Sequence, residues 1–309
     1  MAADDILDEA EQRWQRTADQ RPELAAAVDL QRVLVTRSTE LAAETGRIAR
    51  GATAARPDLL ARLRRGEAPV LNLAVEIDAD RVLPFLLGFC SDFAAGGAGE
   101  PARRVRAAIE GREIDPGSLL RASLARQQEA IRMRAHHLGL APDLVWLVAE
   151  LAVGPVANRL QHDALAAASA PRAARDAMRA WRHGHCPACA SWPALAESRD
   201  AERHLRCSFC GADWTPPDVA CVYCNRAGDA FLTASAAPDR PARRIEFCRA
   251  CGAYLKHVDA PAATPFLMLP VLDLETSDLD LLAVERGYAR PPMRQIATAD
   301  VLCPPETVR

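Results

Sequence analysis

Cys186-Pro-Ala-Cys189, Cys207-Ser-Phe-Cys210, Cys221-Val-Tyr-Cys224 and Cys248-Arg-Ala-Cys251 are four Cys-x-x-Cys pairs that follow one another between residues 186 and 251. With 10 cysteines in 309 residues, random placement would give roughly 0.3 such pairs in the whole chain, so the clustering is a signal. The spacing has a physical reason. Two intervening residues let a tight turn aim both sulfurs at one ion while the turn's backbone N–H groups hydrogen-bond to them, and two such turns complete a tetrahedron. Gly211 and Gly252 directly follow the second and fourth pairs, where the chain leaving the turn often needs a positive φ. Asn225 follows the third pair and tolerates the same conformation.

The candidate metal ligands are therefore Cys186, Cys189, Cys207, Cys210, Cys221, Cys224, Cys248 and Cys251. The first two pairs read C-x2-C-x17-C-x2-C and the last two C-x2-C-x23-C-x2-C, each long enough for a ribbon hairpin, which favours sequential pairing. A cross-braced arrangement, first pair with third and second with fourth, stays open on spacing alone. Four thiolates suit zinc or a single rubredoxin-like iron equally well. A thioredoxin-like redox pair would need a helix N-terminus beside a βαβ pattern, whereas these pairs lie among short strand-and-turn runs such as 219–223 and 244–247. His183, His185 and His204 lie near the knuckles but are expected behind the ligands, since eight paired sulfurs already fill two sites. Trp192, Trp214 and Tyr254 place rings beside the clusters, where filling the ribbon core is the expected role and control of solvent access to the metal the alternative. A divalent tetrathiolate carries a formal charge of about −2. Arg203, Arg206, Arg226, Arg243, Arg244, Arg249 and Lys256 are expected to offset it. Metal binding is expected to fold residues 183–260 outright, so that chelation unfolds that segment and leaves the preceding helices largely intact.

Working outward, residues 1–180 are dominated by alanine, leucine and arginine with apolar positions three and four apart, the period of amphipathic helices. Pro22 opens a helix over 24–43; Asp78 caps one over 79–93 that contains Pro84 and stops at Gly96-Gly97; Ser118 caps one over 119–137; Pro142 starts the next; and a last one runs over 171–181. The stretch 144–156 is apolar nearly all round and belongs at the centre of a bundle. Cys90 follows Leu86, Leu87 and Phe89 and reads as a small buried hydrophobe rather than a nucleophile. After the cysteine region, 265–270 is a strand-like apolar run, Thr276 or Ser277 caps a helix over 278–286 ending at Gly287, and the proline-rich remainder with Cys303 is an irregular tail. The expected fold is α+β: a helical domain at 1–182, rubredoxin-like or zinc-ribbon modules at 183–215 and 216–270, and a short C-terminal helix and tail at 271–309.

Half the residues are hydrophobic and 26% are charged, the balance of a chain that folds. A formal net charge of −3 provides no global positive field toward nucleic acid or anionic lipid. Lys256 is the only lysine beside many arginines, a bias consistent with GC-rich coding. The acidic start MAADDILDEAEQRW does not fit a secretory signal. The apolar stretch 144–156, interrupted by Glu150, Gly154 and Pro155, falls short of the roughly 20 residues that cross a bilayer. A cytoplasmic location with no membrane contact is the expectation, and ten cysteines in a reducing compartment point to metal rather than disulfides.

The residues resemble the formate dehydrogenase accessory protein FdhE family. The likeness lies in Cys186-Pro-Ala-Cys189-x-x-Trp-Pro, Leu205-Arg-Cys-Ser-x-Cys-x-x-x-Trp214, Cys221-x-Tyr-Cys224, Cys248-x-x-Cys251-x-x-Tyr254-Leu-Lys256 and Asp278-Leu-Asp-Leu-Leu-Ala-x-Glu-x-Gly287-Tyr288. It covers about residues 186–288, and Ala190 departs from a glycine common in that family. The resemblance implies a non-enzymatic cytoplasmic maturation factor for respiratory formate dehydrogenase. It would act on the catalytic subunit before export, carry two rubredoxin-like iron ions, and use Lys256 within a motif. Two other classes compete: a zinc-ribbon nucleic-acid binder, which needs a basic stripe with interleaved aromatics, and a rubredoxin-like electron carrier. No P-loop, G-x-S-x-G or H-E-x-x-H stands in the chain.

Overall fold

The three-and-four spacing of the first half produces helices in the computed structural model, which describes residues 3–50, 56–68, 75–167, 171–216, 218–235 and 242–291. In order these are α1 (Ala3–Gln20), α2 (Ala25–Ile48), α3 (Arg56–Arg64), α4 (Ala79–Phe93), α5 (Gly99–Glu110), α6 (Pro116–Leu124), α7 (Gln128–His137), α8 (Pro142–Ala167) and α9 (Pro171–Arg179). Two short strands, β1 (Ala49–Arg50) and β2 (Glu76–Ile77), pair antiparallel within this half. Asp78 caps α4 by accepting from the backbone N–H of Arg81. The stretch Ala79–Glu110 is long and apolar enough by composition to cross a membrane. It is nevertheless bent between α4 and α5, where Gly97 has φ 114°, and it buries Val82, Leu86, Phe89, Val105 and Ile109 in the core.

One expected helix is two. Asp115, not Ser118, caps α6, its carboxylate accepting from the Ser118 N–H at 2.7 Å. The chain then turns at Arg126 (φ 59°) before restarting as α7. The periodic pattern runs through this break because both helices pack their apolar residues against α8. In α8 the side chains of Val148, Ala149, Ala152, Val153, Val156 and Ala157 are completely buried, making it the central helix, as its all-round apolar sequence requires.

The second half is a six-stranded sheet of β3 (Pro193–Arg199), β4 (Glu202–Cys207), β5 (Asp213–Trp214), β6 (Phe231–Ser235), β7 (Arg243–Cys248) and β8 (Tyr254–Asp259). Its spatial order is β5-β4-β3-β8-β7-β6. Each ribbon is antiparallel within itself, and the two join through the parallel pair β3 and β8, with Ala196 opposite His257. The helices and the first ribbon share one hydrophobic core, which contains Trp146, Val153 and Trp181 together with Cys186, Cys207, Phe209 and Trp214. The first ribbon thus forms one wall of the core around α8.

The apolar run 265–270 is not a strand. A 3-10 turn, Phe266–Met268, leads into α10 (Leu269–Glu275), with Pro270 in the first helical turn, where its missing N–H is not needed. Six apolar residues carry no period of their own, and Met268 and Val271 turn onto Ala10, Trp14, Val28 and Val35. Next comes α11 (Ser277–Glu285), whose preceding Thr276 hydroxyl donates back to the Leu272 carbonyl at 2.7 Å instead of capping. Arg13 pairs with Glu275, and Gln31 donates to the Pro270 carbonyl at 2.8 Å, so the C-terminal helices return to the N-terminal ones.

Polar groups fasten both faces of the sheet. Lys256 is fully buried, its Nζ 2.7 Å from both the backbone and side-chain oxygens of Asp273 and 2.8 Å from Asp280. On the other face Glu246 accepts from Arg203 and His257 Nδ1 at 2.7 Å each, and His257 Nε2 lies 2.8 Å from the Ser198 hydroxyl. Burial resists ionisation of Glu246, but the hydrogen bonds from Arg203 and His257 outweigh it and hold the carboxyl below the usual range.

Lys256→Met should cost about 2–3 kcal/mol in denaturant unfolding. That is less than the ~3–5 kcal/mol for breaking a wholly buried pair, because Asp273 and Asp280 stay partly exposed and keep Arg290. A carboxylate with a depressed folded pKa contributes stability that is present above its unfolded value and lost as pH falls through the folded one. Glu246→Gln should therefore lower the unfolding midpoint at neutral pH, and its gap to the parent protein should narrow as pH drops below the ordinary 4.5.

Candidate metal centres

Each knuckle is the same turn. After the second cysteine the chain passes through positive φ at Ala190 (61°), Gly211 (68°), Asn225 (57°) and Gly252 (69°). The N–H of each of Ala190, Asn225 and Gly252 returns to the carbonyl of the first cysteine of its knuckle at 2.9 Å. This geometry points backbone donors at sulfur: Ala188 N–H to Cys186 Sγ at 3.3 Å, and the N–H groups of Phe209 and Cys210 to Cys207 Sγ at 3.4 Å. Ala190 thus carries a side chain in the left-handed region that glycine would occupy without strain.

The eight sulfurs converge in two groups, Cys186/Cys189/Cys207/Cys210 and Cys221/Cys224/Cys248/Cys251, with all sulfurs of a group within 4.8 Å of one another. Pairing is therefore sequential and not cross-braced. Closest approaches are 3.7 Å (Cys186 to Cys210), 3.4 Å (Cys189 to Cys207), 3.7 Å (Cys221 to Cys251) and 3.6 Å (Cys224 to Cys248). A tetrahedron with metal–sulfur bonds of about 2.3 Å has edges of about 3.8 Å, so both groups fit one ion each. Burial pushes the Cys186 and Cys210 thiols well up, and four thiolates in that setting need a cation at their centre. The donor set suits divalent zinc and iron alike.

The two groups sit in different surroundings. The first is sealed: all four cysteines are buried, and Asn158 on α8 donates to the Cys210 carbonyl at 2.8 Å. Gly154 lets α8 approach closely, because a Cβ there would come within 3.3 Å of Phe266 and 3.5 Å of the Phe209 carbonyl. In the second group Cys221 and Cys248 are buried but Cys224 and Cys251 are exposed. The knuckles of the two sites touch: a Cβ on Gly184 would stand 1.9 Å from the Val222 carbonyl oxygen, so glycine is obligatory there. Trp192 bridges above them, its ring 5.1 Å from Tyr223 and 6.3 Å from His185.

Most of the cations expected to balance the thiolates are engaged elsewhere. Arg203 pairs with Glu246, Arg243 with Glu275, Arg244 with Asp259, and Lys256 with Asp273 and Asp280. Arg206 donates to the carbonyls of Gly211 (3.1 Å) and Thr264 (2.6 Å). The cation at the first site comes from the helical half. Arg126 lies 4.0 Å above the Phe209 ring and 4.9 Å from that of Trp146, and pairs with Glu150. Burial lowers its pKa to about 10, while the charges of the four cysteines act to raise it. Burial also works against the Cys189 thiolate, but the neighbouring sulfurs and Arg126 bring its pKa well below the ordinary value. Nothing in the local sequence marks Arg126, because its place depends on the break between α6 and α7.

No histidine enters either quartet. His183 stacks on His185 at 4.8 Å, and the His185 carbonyl accepts from Trp181 Nε1 at 2.8 Å. His204 Nδ1 lies 3.2 Å from Asp213. Cys90 is buried in α4, where burial pushes its thiol up to about 12. Cys303 lies outside the described residues.

No family model matches the chain. Over 116 residues it is 32% identical to the Protein FdhE homolog of Aquifex aeolicus (strain VF5), covering 36% of this chain and 40% of the relative. Over 110 residues it is 30% identical to Protein FdhE of Escherichia coli O127:H6, covering 34% of this chain and 35% of the relative. The matched segments thus span well under half of these curated relatives. The crystal structure of the FdhE protein from Pseudomonas aeruginosa superposes over 94% of both chains with a TM-score of 0.55 at 19% identity, which extends the shared fold to the helical half. The chain is thus similar in sequence to FdhE proteins over about a third of its length, and it shares the fold of the Pseudomonas aeruginosa FdhE protein. The likeness first carried by the knuckles extends, as a likeness of fold, to the helices that wall in the first quartet.

Full-length protein should bind two zinc ions, read by metal analysis after desalting. Cys207→Ser combined with Cys210→Ser should leave one ion and lower the thermal midpoint of the helix signal by roughly 5–10 °C, because that knuckle belongs to the helical core.

Proposed function

We propose that this protein is a non-enzymatic accessory factor for the assembly of formate dehydrogenase. It acts in the cytoplasm, binds the catalytic subunit before export, and holds one metal ion in each cysteine quartet. The observation that carries this reading is the pair of sequential four-sulfur centres, with S···S approaches of 3.4–3.7 Å, set in the FdhE fold. The metal ligands are Cys186, Cys189, Cys207 and Cys210 at one centre, and Cys221, Cys224, Cys248 and Cys251 at the other. Iron is the ion that the family resemblance implies; zinc satisfies the same donors. The ions supply charge and cross-links to the chain. The protein's own residues then orient the knuckles through backbone N–H donors, exclude water from the first centre, and present the second at the surface.

A nucleic-acid role fits less well, because Arg203, Arg243, Arg244 and Lys256 are all committed to carboxylates and do not form a free basic stripe. An electron-carrier role draws support from the exposure of Cys224 and Cys251, and requires iron. Tagged full-length protein purified without oxygen from cells making formate dehydrogenase should bring down the catalytic subunit. Failure to capture it, together with duplex or single-strand binding that weakens steeply with salt, would replace this reading by the nucleic-acid one. A red chromophore that bleaches reversibly, without capture of the subunit, would favour the electron carrier.

A further inference from the structure

The two quartets have the same donor set and the same turns, yet they differ in what an incoming ligand would meet. Replacing a thiolate on a tetrahedral ion begins with approach to the metal through a face not covered by protein. At the first centre no such face exists. Its four cysteines have no solvent exposure, the Phe209 ring and the Arg126 guanidinium close one side, and a Cβ on Gly211 would stand 2.8 Å from the Phe266 ring. Its charge is met inside the protein by Arg126, whose carboxylate partner is Glu150.

At the second centre each knuckle contributes one inner and one outer sulfur: Cys221 and Cys248 face inward, Cys224 and Cys251 outward. The turn around the outer sulfurs is open, since a Cβ on Gly252 or Gly228 would meet nothing within 4 Å. Neighbouring Val219 is an exposed apolar side chain. One outer sulfur on each knuckle means that either can leave while the other three hold the ion. The inner pair also keeps the turns anchored to the sheet, through the hydrogen bond from the Cys248 N–H to the Ala253 carbonyl.

We propose that the centre formed by Cys221, Cys224, Cys248 and Cys251 is an exchange site that takes up and hands over its divalent ion, whereas the centre formed by Cys186, Cys189, Cys207 and Cys210 is a closed structural site. This rests on the reading that both quartets bind metal. The step is a ligand exchange with no change of oxidation state. The bond from the metal to Cys224 or Cys251 sulfur breaks, a bond from an incoming thiolate or chelator to the metal forms, and the freed sulfur takes a proton from water.

The test uses full-length protein loaded with two zinc ions, mixed with excess chromogenic chelator at neutral pH under native conditions. One equivalent should leave at least roughly ten-fold faster than the other. A maleimide pulse after the fast phase should label Cys221, Cys224, Cys248 and Cys251 and spare Cys186, Cys189, Cys207 and Cys210, as mapped by peptide mass spectrometry. Cys224→Ser, which leaves Cys221, Cys248 and Cys251 to hold the ion, should release the fast equivalent faster still and leave the rate of the slow one unchanged. Two ions leaving at one common rate, or labels appearing first on the Cys186 quartet, would overturn the proposal while leaving the metal centres standing. A chain that retains no zinc at all would remove the metal reading itself.

Discussion

Four thiolates gathered within van der Waals reach cannot persist in a protein interior without a cation among them, and that electrostatic demand organises this molecule. At the first centre two answers are available: two knuckles whose four sulfurs can hold one ion between them, and Arg126 placed beside the cage. The second answer is costly in backbone terms, since Arg126 itself sits at φ 59°, a conformation that a side-chain-bearing residue adopts only under constraint. The ring of Phe209, the Trp146 face and the Glu150 carboxylate supply that constraint.

The helical half and the sheet are consequently not independent bodies joined by a linker. Cys186, Cys189, Cys207 and Cys210 lie in the same apolar cluster as Val148, Val153 and Leu160 of the central helix, and Asn158 hydrogen-bonds the Cys210 carbonyl directly. The C-terminal helices close the circuit by packing against α1 and α2 while anchoring Lys256 beneath the sheet.

What could be read from the chain follows from the range of the forces involved. The knuckles were legible because Cys-x-x-Cys geometry is local: two sulfurs, one turn and the following left-handed residue fit within five positions. Helix starts at Asp78 and Pro142 were legible for the same reason. The break at Arg126 was not, because α6 and α7 both present apolar faces to α8 and so preserve one unbroken period. The run 265–270 misled in the other direction: six apolar residues have no intrinsic preference between strand and turn, and Trp14 and Val35, more than 200 residues away, decided it. The partners of Arg203, Arg244 and Lys256 were likewise set by strand register and helix return, information that no local pattern holds.

The order of the strands has one more implication. Both ribbons run third, second, first strand in the same spatial direction, and they meet through a parallel pair, so one is related to the other by a shift along the sheet rather than by a two-fold rotation. A rotation would have sent the two cysteine quartets to opposite ends of the strands, separated by the length of β3, about 20 Å at the usual rise of about 3.3 Å per residue. The shift instead lines both cysteine quartets up along one rim of the sheet, so that a flat surface laid across that rim meets the open quartet with the sealed one beside it.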